Sequence, residues 1–123
     1  MKNKKLINSF KYAFTGILSA LKTERNLKIH ISIAILVIIF GIIFKISKIE
    51  WLICLICIMT VISAELINTA IETTVDISMP NKNELAKRAK DIGASSVLVL
   101  AIISAIIGLI IFVPKILLLF KGN

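Results

Sequence analysis

The sequence predicts an all-α integral membrane protein with three membrane helices, preceded by an amphipathic helix. Of its 123 residues, 58% are hydrophobic and the mean hydropathy is +0.96, which is far more apolar side chain than a soluble domain of this length carries. The apolar residues fall in three long runs, and one span needs about 20 of them. A chain this short is expected to form a single domain, residues 1–123, with nothing large outside the bilayer.

The first element, residues 1–26, is predicted to be an amphipathic helix in the membrane interface. Its apolar residues recur at the spacing of one helical face, and they are Leu6, Ile7, Phe10, Phe14, Ile17, Leu18 and Leu21. Lys5, Lys11 and Lys22 lie away from the centre of that face. Because so many basic side chains precede the first long apolar run, a secretory signal peptide is not expected, and the first span should stay in the mature protein.

Three further helices are predicted to span the membrane, at 27–46, 50–75 and 84–114. The uncharged stretch of the second, 51–64, has 14 residues, whereas a span needs about 20. This helix must therefore continue through Glu65 and Glu72, which carries carboxylates into or against the bilayer. Pro80 fits poorly in a helix interior, so a turn or loop is expected after Asp76.

The basic residues predict the orientation of the chain. Seven precede the first span, two lie in the next connector, four lie between Lys82 and Lys90, and two follow Pro114. Because cytoplasmic segments carry the excess of Lys and Arg, the N-terminus and the second loop should be cytoplasmic. The net charge of +8 is accordingly attributed to orientation and anionic headgroups, not to nucleic acid.

Two patterns inside the spans are interpreted as packing. Cys54 and Cys57 form a C-x-x-C within an apolar run, where a zinc site lacks further ligands and a redox dithiol lacks water. The third span has small residues four positions apart, which predict close helix packing within one chain or between copies. These pairs are Ala89 with Gly93, Ala101 with Ala105, and Ser104 with Gly108.

Polar residues of the second span form an acidic stripe. Glu65, Asn68, Glu72 and Asp76 fall within about 80° of arc on a helix. A carboxylate costs about 2.5 kcal/mol or more at the centre of a span, so such residues persist where they have partners and a task. Neighbouring carboxylates repel, and a divalent cation would relieve the repulsion. Oxygen ligands favour magnesium over zinc, and magnesium usually brings phosphate oxygens as further ligands.

The following helix supplies positive charge. Lys87, Lys90 and Asp91 share one of its faces, and a lysine neutralises phosphate as a point charge. Lys87 and Arg88 are interpreted as anchors on the cytoplasmic side, Lys90 as a functional residue, and His30 as an interfacial side chain. The sequence has no glycine loop of the P-loop or protein-kinase type. The residues alone therefore indicate metal-assisted chemistry on an anionic substrate at the membrane edge.

Two segments carry a resemblance to a known family. Glu65-Leu-Ile-Asn68-Thr-Ala-Ile-Glu72-Thr-Thr-Val-Asp76, followed by Arg88-Ala-Lys90-Asp91-Ile-Gly93, resembles the prokaryotic diacylglycerol kinase family, which includes undecaprenol kinases. The resemblance covers nearly the whole chain. It implies a homotrimer in the bacterial cytoplasmic membrane, with active sites shared between neighbouring subunits on the cytoplasmic side. The implied activity is phosphorylation of a lipid alcohol with ATP and Mg²⁺.

The resemblance also implies roles for individual residues. Glu65 would be the general base that takes the proton from the lipid hydroxyl, and Asn68 would orient Glu65 or the substrate. Glu24 and Glu72 would hold the magnesium ion. The nucleotide would contact Lys5, Tyr12, Glu24, Glu72, Asp76, Asn81, Lys82, Asn83, Lys90 and Asp91.

Several functions stay open at this point. The segment Glu24-Arg25-Asn26 resembles the Gram-positive branch of the family, whose members prefer undecaprenol, so undecaprenol is the expected substrate and diacylglycerol the alternative. A small proton-coupled transporter could also use carboxylates in its spans. However, a transporter would place its key acid near the midplane, whereas these acids cluster at one membrane edge. A structural or assembly protein would leave the acidic stripe unexplained.

Overall fold

The computed structural model describes residues 1–122, which form four helices joined by short connectors. The helices are α1 (Lys2–Thr23), α2 (Arg25–Ile43), α3 (Lys48–Ser78) and α4 (Glu84–Lys121). By length and hydropathy, α2, α3 and α4 can each cross a membrane. The prediction of an all-α protein with three apolar helices able to span a membrane is thereby confirmed.

Helices α3 and α4 form a long antiparallel hairpin that carries most of the tertiary packing. Helix α2 packs against α3, and α1 makes only a few contacts with α2 and α3. The chain direction therefore places the start of α2, the end of α3 and the start of α4 at one end of the bundle. The α2–α3 connector and the end of α4 lie at the other end.

The α3–α4 loop is short and capped. Helix α3 continues past Asp76 to Ser78, and residues 79–83 connect it to α4. The Oδ1 atom of Asn83 accepts hydrogen bonds from the backbone N–H groups of Leu85 at 2.9 Å and Ala86 at 3.0 Å. This N-cap satisfies two of the donors that every helix start leaves free, and so fixes where α4 begins.

The last helix continues through a proline. The sequence predicts that the third membrane helix ends at 114, whereas α4 passes through Pro114 and continues to Lys121. A proline removes one hydrogen bond from a helix interior, a loss that spanning helices tolerate because neighbouring groups satisfy the freed carbonyl. Position 114 therefore marks an interruption in the hydrogen bonding of α4 and not its end.

The α2–α3 connector closes α2 with a Schellman pair. The N–H of Lys45 donates to the carbonyl oxygen of Ile42 at 3.3 Å, and the N–H of Ile46 donates to that of Gly41 at 3.2 Å. Lys45 has a φ of 49°, the left-handed conformation in which a residue with a Cβ is strained. Glycine is the usual residue at this position of the motif, so the connector stores strain at Lys45.

Helix α3 begins with a capping box that also reaches α4. The Ser47 hydroxyl accepts from the N–H of Glu50 at 3.2 Å, and Oε1 of Glu50 accepts from the N–H of Ser47 at 2.9 Å. The second carboxylate oxygen of Glu50 lies 3.1 Å from Nζ of Lys115. Hydrogen bonds and one ion pair therefore fix this end of the bundle, opposite the α3–α4 loop.

Candidate active site

The middle of α3 buries two polar side chains. Glu65 is 2% exposed and Asn68 is 4% exposed, in a chain whose other buried residues are apolar or small over the described range. Both line a groove of about 290 Å³, which we call the polar groove. Its walls are Asn26, Ile29 and His30 from α2, Glu65 and Asn68 from α3, and Ala94, Val97 and Leu98 from α4. The structure thus places Glu65 and Asn68 together, as the sequence predicts, at a site that three helices build.

Asn68 connects the polar groove to the next acid of the stripe. Its Nδ2 donates a hydrogen bond to Oε1 of Glu72 at 3.3 Å. Its Oδ1 is buried and has no hydrogen-bond partner within the described residues. A Cβ added at Gly93 would lie 2.6 Å from that oxygen, so the glycine leaves room for Asn68 between α3 and α4. An unpaired buried acceptor costs about 1–3 kcal/mol, and a ligand that donates to Oδ1 would remove this cost.

Three carboxylates, one from the α1–α2 junction and two from α3, lie at this end of the bundle. The charges of Glu72 and Glu24 both act on Glu65. Glu24 separates α1 from α2, because its backbone is extended, at φ −101° and ψ 110°. This break turns the chain from α1 into the first span, and so places an acid of the α1–α2 junction near α3. That Glu24 and Glu72 act together stays a prediction.

Carboxylate oxygens are the kind of ligand that magnesium prefers, so Glu24 and Glu72 would suit a magnesium ion whose other ligands come from phosphate and water. Among residues 1–122, no three His, Cys, Asp or Glu side chains are arranged to hold a metal by themselves. Magnesium is usually bound by one or two carboxylates together with substrate phosphates and water, not by an all-protein cage. The predicted pair, Glu24 and Glu72, supplies the number and kind of protein ligands that this mode requires.

A second groove lies at the α3–α4 loop, and we call it the loop groove. Its volume is about 610 Å³. It brings together five of the residues predicted to contact nucleotide, which are Asp76, Asn81, Lys82, Asn83 and Lys90. Lys90 forms an ion pair with Asp76, and the charge of Glu72 acts on Lys90 as well. Lys90 therefore links the loop groove to the acidic stripe.

The other five predicted nucleotide contacts do not line the loop groove. Glu72 lies one turn before Asp76 on α3, and Glu24 lines a different groove between α1 and α3. Asp91 forms an ion pair with Lys87 at 2.7 Å on the exposed side of α4. Lys5 and Tyr12 are exposed on α1, and neither is among the residues that line the loop groove. Within one chain, the loop groove therefore gathers only half of the predicted nucleotide contacts.

Two polar residues that line the polar groove were not predicted to belong to the site. Asn26 and His30 stand one helical turn apart on α2 and face Glu65 and Asn68 across the polar groove. From the sequence, His30 is expected to be an interfacial side chain, and Asn26 has no predicted role of its own. Their spacing was the available signal, because polar residues four apart at the start of an apolar helix share one face.

Comparison with known proteins defines the class. The family described as "Prokaryotic diacylglycerol kinase" matches residues 11–112. Undecaprenol kinase of Bacillus subtilis is 46% identical over 111 residues, which is 90% of this chain and 90% of that protein. Diacylglycerol kinase of Haemophilus influenzae is 36% identical over 108 residues, 87% of this chain and 92% of that protein. Diacylglycerol kinase of Synechocystis sp. is 36% identical over 113 residues, which is 91% of this chain and 65% of that protein.

These matches and the three apolar helices identify a multi-pass membrane lipid kinase. The chain belongs to the prokaryotic diacylglycerol kinase family. The family resemblance stated from the sequence is therefore confirmed.

Proposed function

We propose that this lipid kinase transfers the γ-phosphate of ATP, as the magnesium complex, to the hydroxyl of undecaprenol. The observation that carries the proposal is the buried Glu65 carboxylate, which lines a groove between three apolar helices, while a groove lined by three lysines lies at the adjacent loop. Undecaprenol is favoured because the sequence identity to the undecaprenol kinase of Bacillus subtilis, 46%, is higher than the 36% identity to each of the two diacylglycerol kinases. Diacylglycerol is the second candidate.

Glu65 acts as the general base. Phosphoryl transfer needs positioning and charge neutralisation more than covalent chemistry by the protein. The Glu65 carboxylate takes the proton of the lipid hydroxyl, the hydroxyl oxygen bonds to the γ-phosphorus, and ADP leaves with the electron pair of the broken bond. General-base catalysis of this kind contributes about 10²–10⁴-fold. Asn68, with its free Oδ1, holds the hydroxyl or Glu65 in position.

Glu24 and Glu72 would hold magnesium, which supplies charge neutralisation on the phosphates when bound. Asn68 orients Glu72 through the hydrogen bond to Oε1. When nucleotide enters the loop groove, Lys90 leaves its ion pair with Asp76 and binds a phosphate oxygen instead. Both the Asp76 carboxylate and the phosphate are anions, so either can pair with the lysine. Asn81, Lys82 and Asn83 form the rest of that groove.

The assembly is a homotrimer with its active sites on the cytoplasmic side. Leu6, Phe10 and Phe14 are exposed on α1, as expected of a helix that lies in the membrane interface. The excess of basic residues before α2 and at the α3–α4 loop favours a cytoplasmic position for both. In a shared site, the exposed Asp91 and Tyr12 would reach the nucleotide of a neighbouring subunit.

A side-by-side transfer assay tests the proposal. The purified protein, in detergent micelles with Mg²⁺ and labelled ATP, is offered undecaprenol and dioleoylglycerol in separate reactions, each repeated with EDTA. The expected result is faster label transfer to undecaprenol that is lost with EDTA. Faster transfer to dioleoylglycerol would favour the second candidate, and no transfer to either lipid by the folded protein would contradict the kinase mechanism.

A further inference from the structure

The side of α2 that packs between the other membrane helices contains one polar residue. The buried positions of α2 are Leu27, Ala34 and Gly41, which recur every seven residues and so lie on one helical face. His30 lies between Leu27 and Ala34 on that face and is half-buried. Its imidazole therefore points between the helices, where it meets residues of α3 and α4.

His30 and Glu65 lie at nearly the same level of the bundle. A Cβ added at Gly41 would touch the ring of Trp51, which sets the register of α2 against the antiparallel α3. Eleven residues back along α2 and eleven forward along α3 from that contact, His30 is level with Ile62. Glu65 is three residues further, or about 4.5 Å at about 1.5 Å per residue. Because both also line the polar groove, the two side chains face each other across it.

The two side chains are complementary and unpaired. The hydrogen bonds of this part of α3 run from Asn68 to Glu72 and from the Thr69 hydroxyl to the carbonyl oxygen of Glu65. Within residues 1–122, none reaches the Glu65 carboxylate or the His30 ring. A polar group between helices is costly without a partner. An imidazole offers an N–H donor and a carboxylate only acceptors, so each can satisfy the other.

The surroundings offer His30 few other partners. The polar groove adds Asn26 and Asn68, and Asn68 already donates along α3. On its other side, His30 lines an apolar groove of about 220 Å³ whose only hydroxyl is that of Ser104. Glu65 is the one carboxylate that lines either groove. The strongest acceptor within reach of the imidazole is therefore Glu65.

We infer that His30 is a positioning residue for the reaction: its ring N–H donates a hydrogen bond to one oxygen of the Glu65 carboxylate and leaves the other oxygen free for the proton of the lipid hydroxyl. This inference rests on the proposed function. A general base must lie within hydrogen-bond reach of the proton that it takes, and such contacts often tighten only when substrate is bound. Alignment matters because misplacing a reacting group by about 1 Å can cost about 10²-fold in rate.

The first test separates hydrogen bonding from packing. His30→Leu removes the donor, so kcat for phosphate transfer to undecaprenol should fall by about tenfold or more, while KM for magnesium ATP stays as in the wild type. His30→Gln keeps an N–H donor and should retain most of the activity. A packing role would reverse this order, because an apolar surrounding suits leucine better than glutamine. Wild-type activity in His30→Leu, or equal losses in both variants, would overturn the inference.

Three further variants complete this test. His30→Phe keeps an aromatic ring without a donor and should be as slow as His30→Leu, so it replaces that variant if light scattering shows that His30→Leu does not assemble. Lys28→Gln changes an exposed side chain of α2 and should have the wild-type rate. Ser104→Ala should also have the wild-type rate. A loss in Ser104→Ala equal to that of His30→Leu would make Ser104 the partner of His30 and overturn the inference.

The second test asks whether His30 acts through Glu65. The change His30→Leu is made in the wild-type protein and in Glu65→Gln, and transfer rates are measured for all four proteins. A residue that acts by holding the base loses its effect when the base is gone, so the double variant should be no slower than Glu65→Gln alone. A further loss as large as that in the wild-type background would overturn the inference.

The outcomes separate this inference from the proposed function. A wild-type protein that transfers phosphate to neither lipid contradicts the proposed function, and the inference falls with it. A wild-type protein that transfers phosphate, with His30 variants whose losses are independent of Glu65, contradicts the inference alone.

Discussion

Lys90 on α4 forms an ion pair with Asp76 on α3, across the hairpin that carries the acidic stripe. The pair lies in the loop groove, and the charge of Glu72 also acts on Lys90. Asp76 thus holds one cation of α4 at the place where phosphate is proposed to bind. An anionic ligand can replace Asp76 as the partner of Lys90 without leaving a buried charge unpaired, because Asp76 is exposed and water solvates its carboxylate.

The first prediction concerns Lys90. Lys90→Met should raise KM for magnesium ATP by about tenfold or more, because a hydrogen bond between charged groups contributes about 1.5–3 kcal/mol. Initial rates at a series of ATP concentrations measure the effect. Lys121→Met makes the same change at the opposite end of α4 and should leave KM unaltered. A wild-type KM in the Lys90 variant would remove this residue from the nucleotide site.

The second prediction concerns Glu72. Glu72→Gln keeps an oxygen that can accept from Asn68 Nδ2 but removes the charge, so the Mg²⁺ concentration for half-maximal transfer should rise about tenfold or more. A magnesium titration at fixed ATP provides the measurement. Glu50→Gln, at the other end of the bundle, should reproduce the wild-type titration. Coincident curves for Glu72→Gln and wild type would show that Glu72 is not a magnesium ligand.

The third prediction concerns the packing of α2 on α3. A Cβ at Gly41 would lie 2.7 Å from the ring of Trp51, which cannot move aside as a flexible side chain can. Gly41→Ala should therefore lower the free energy of unfolding by about 1–3 kcal/mol, measured by denaturant titration in micelles. Gly16→Ala is the control, because nothing lies within 4 Å of a Cβ at that position. Adding Trp51→Leu to Gly41→Ala should recover most of the loss, and failure to recover it would argue against the clash.

The fourth prediction concerns the left-handed residue of the α2–α3 connector. Lys45→Gly should raise the free energy of unfolding by up to about 1 kcal/mol, because glycine adopts a φ of 49° without strain. Lys48→Gly, inside the first turn of α3, should instead lower it by about 0.5–1 kcal/mol. Denaturation of both variants under the same conditions gives the comparison. Destabilisation by Lys45→Gly would mean that the connector is not strained at this residue.

The helices and the acidic stripe could be predicted from the sequence because both follow from local periodicity. Residues four apart on a helix face each other, and the Asn68–Glu72 hydrogen bond is such a pair. The same reasoning predicts that Glu65 enters the membrane, whereas its burial within the protein depends on how α2 and α4 pack against α3. The length and hydropathy of the apolar runs were sufficient to predict the three helices that can span a membrane.

The relationships between helices could not be predicted in this way. The Asp76–Lys90 pair depends on the register of α3 against α4, which the loop and the Asn83 cap set. The four-residue spacing at Ser104 and Gly108 gives the face of the helix but not what covers it, and the face lines an open groove. The continuation of α4 through Pro114 likewise depends on tertiary surroundings.

The central claim, that Glu65 is the base of a lipid kinase, is tested most directly by Glu65→Gln. Phosphate transfer to undecaprenol and nucleotide binding are measured on the variant and on the wild-type protein, with oligomer size checked by light scattering. We predict that transfer falls by about 10²–10⁴-fold, while nucleotide binding and oligomer size stay as in the wild type. A folded Glu65→Gln protein that transfers phosphate at the wild-type rate would contradict the account.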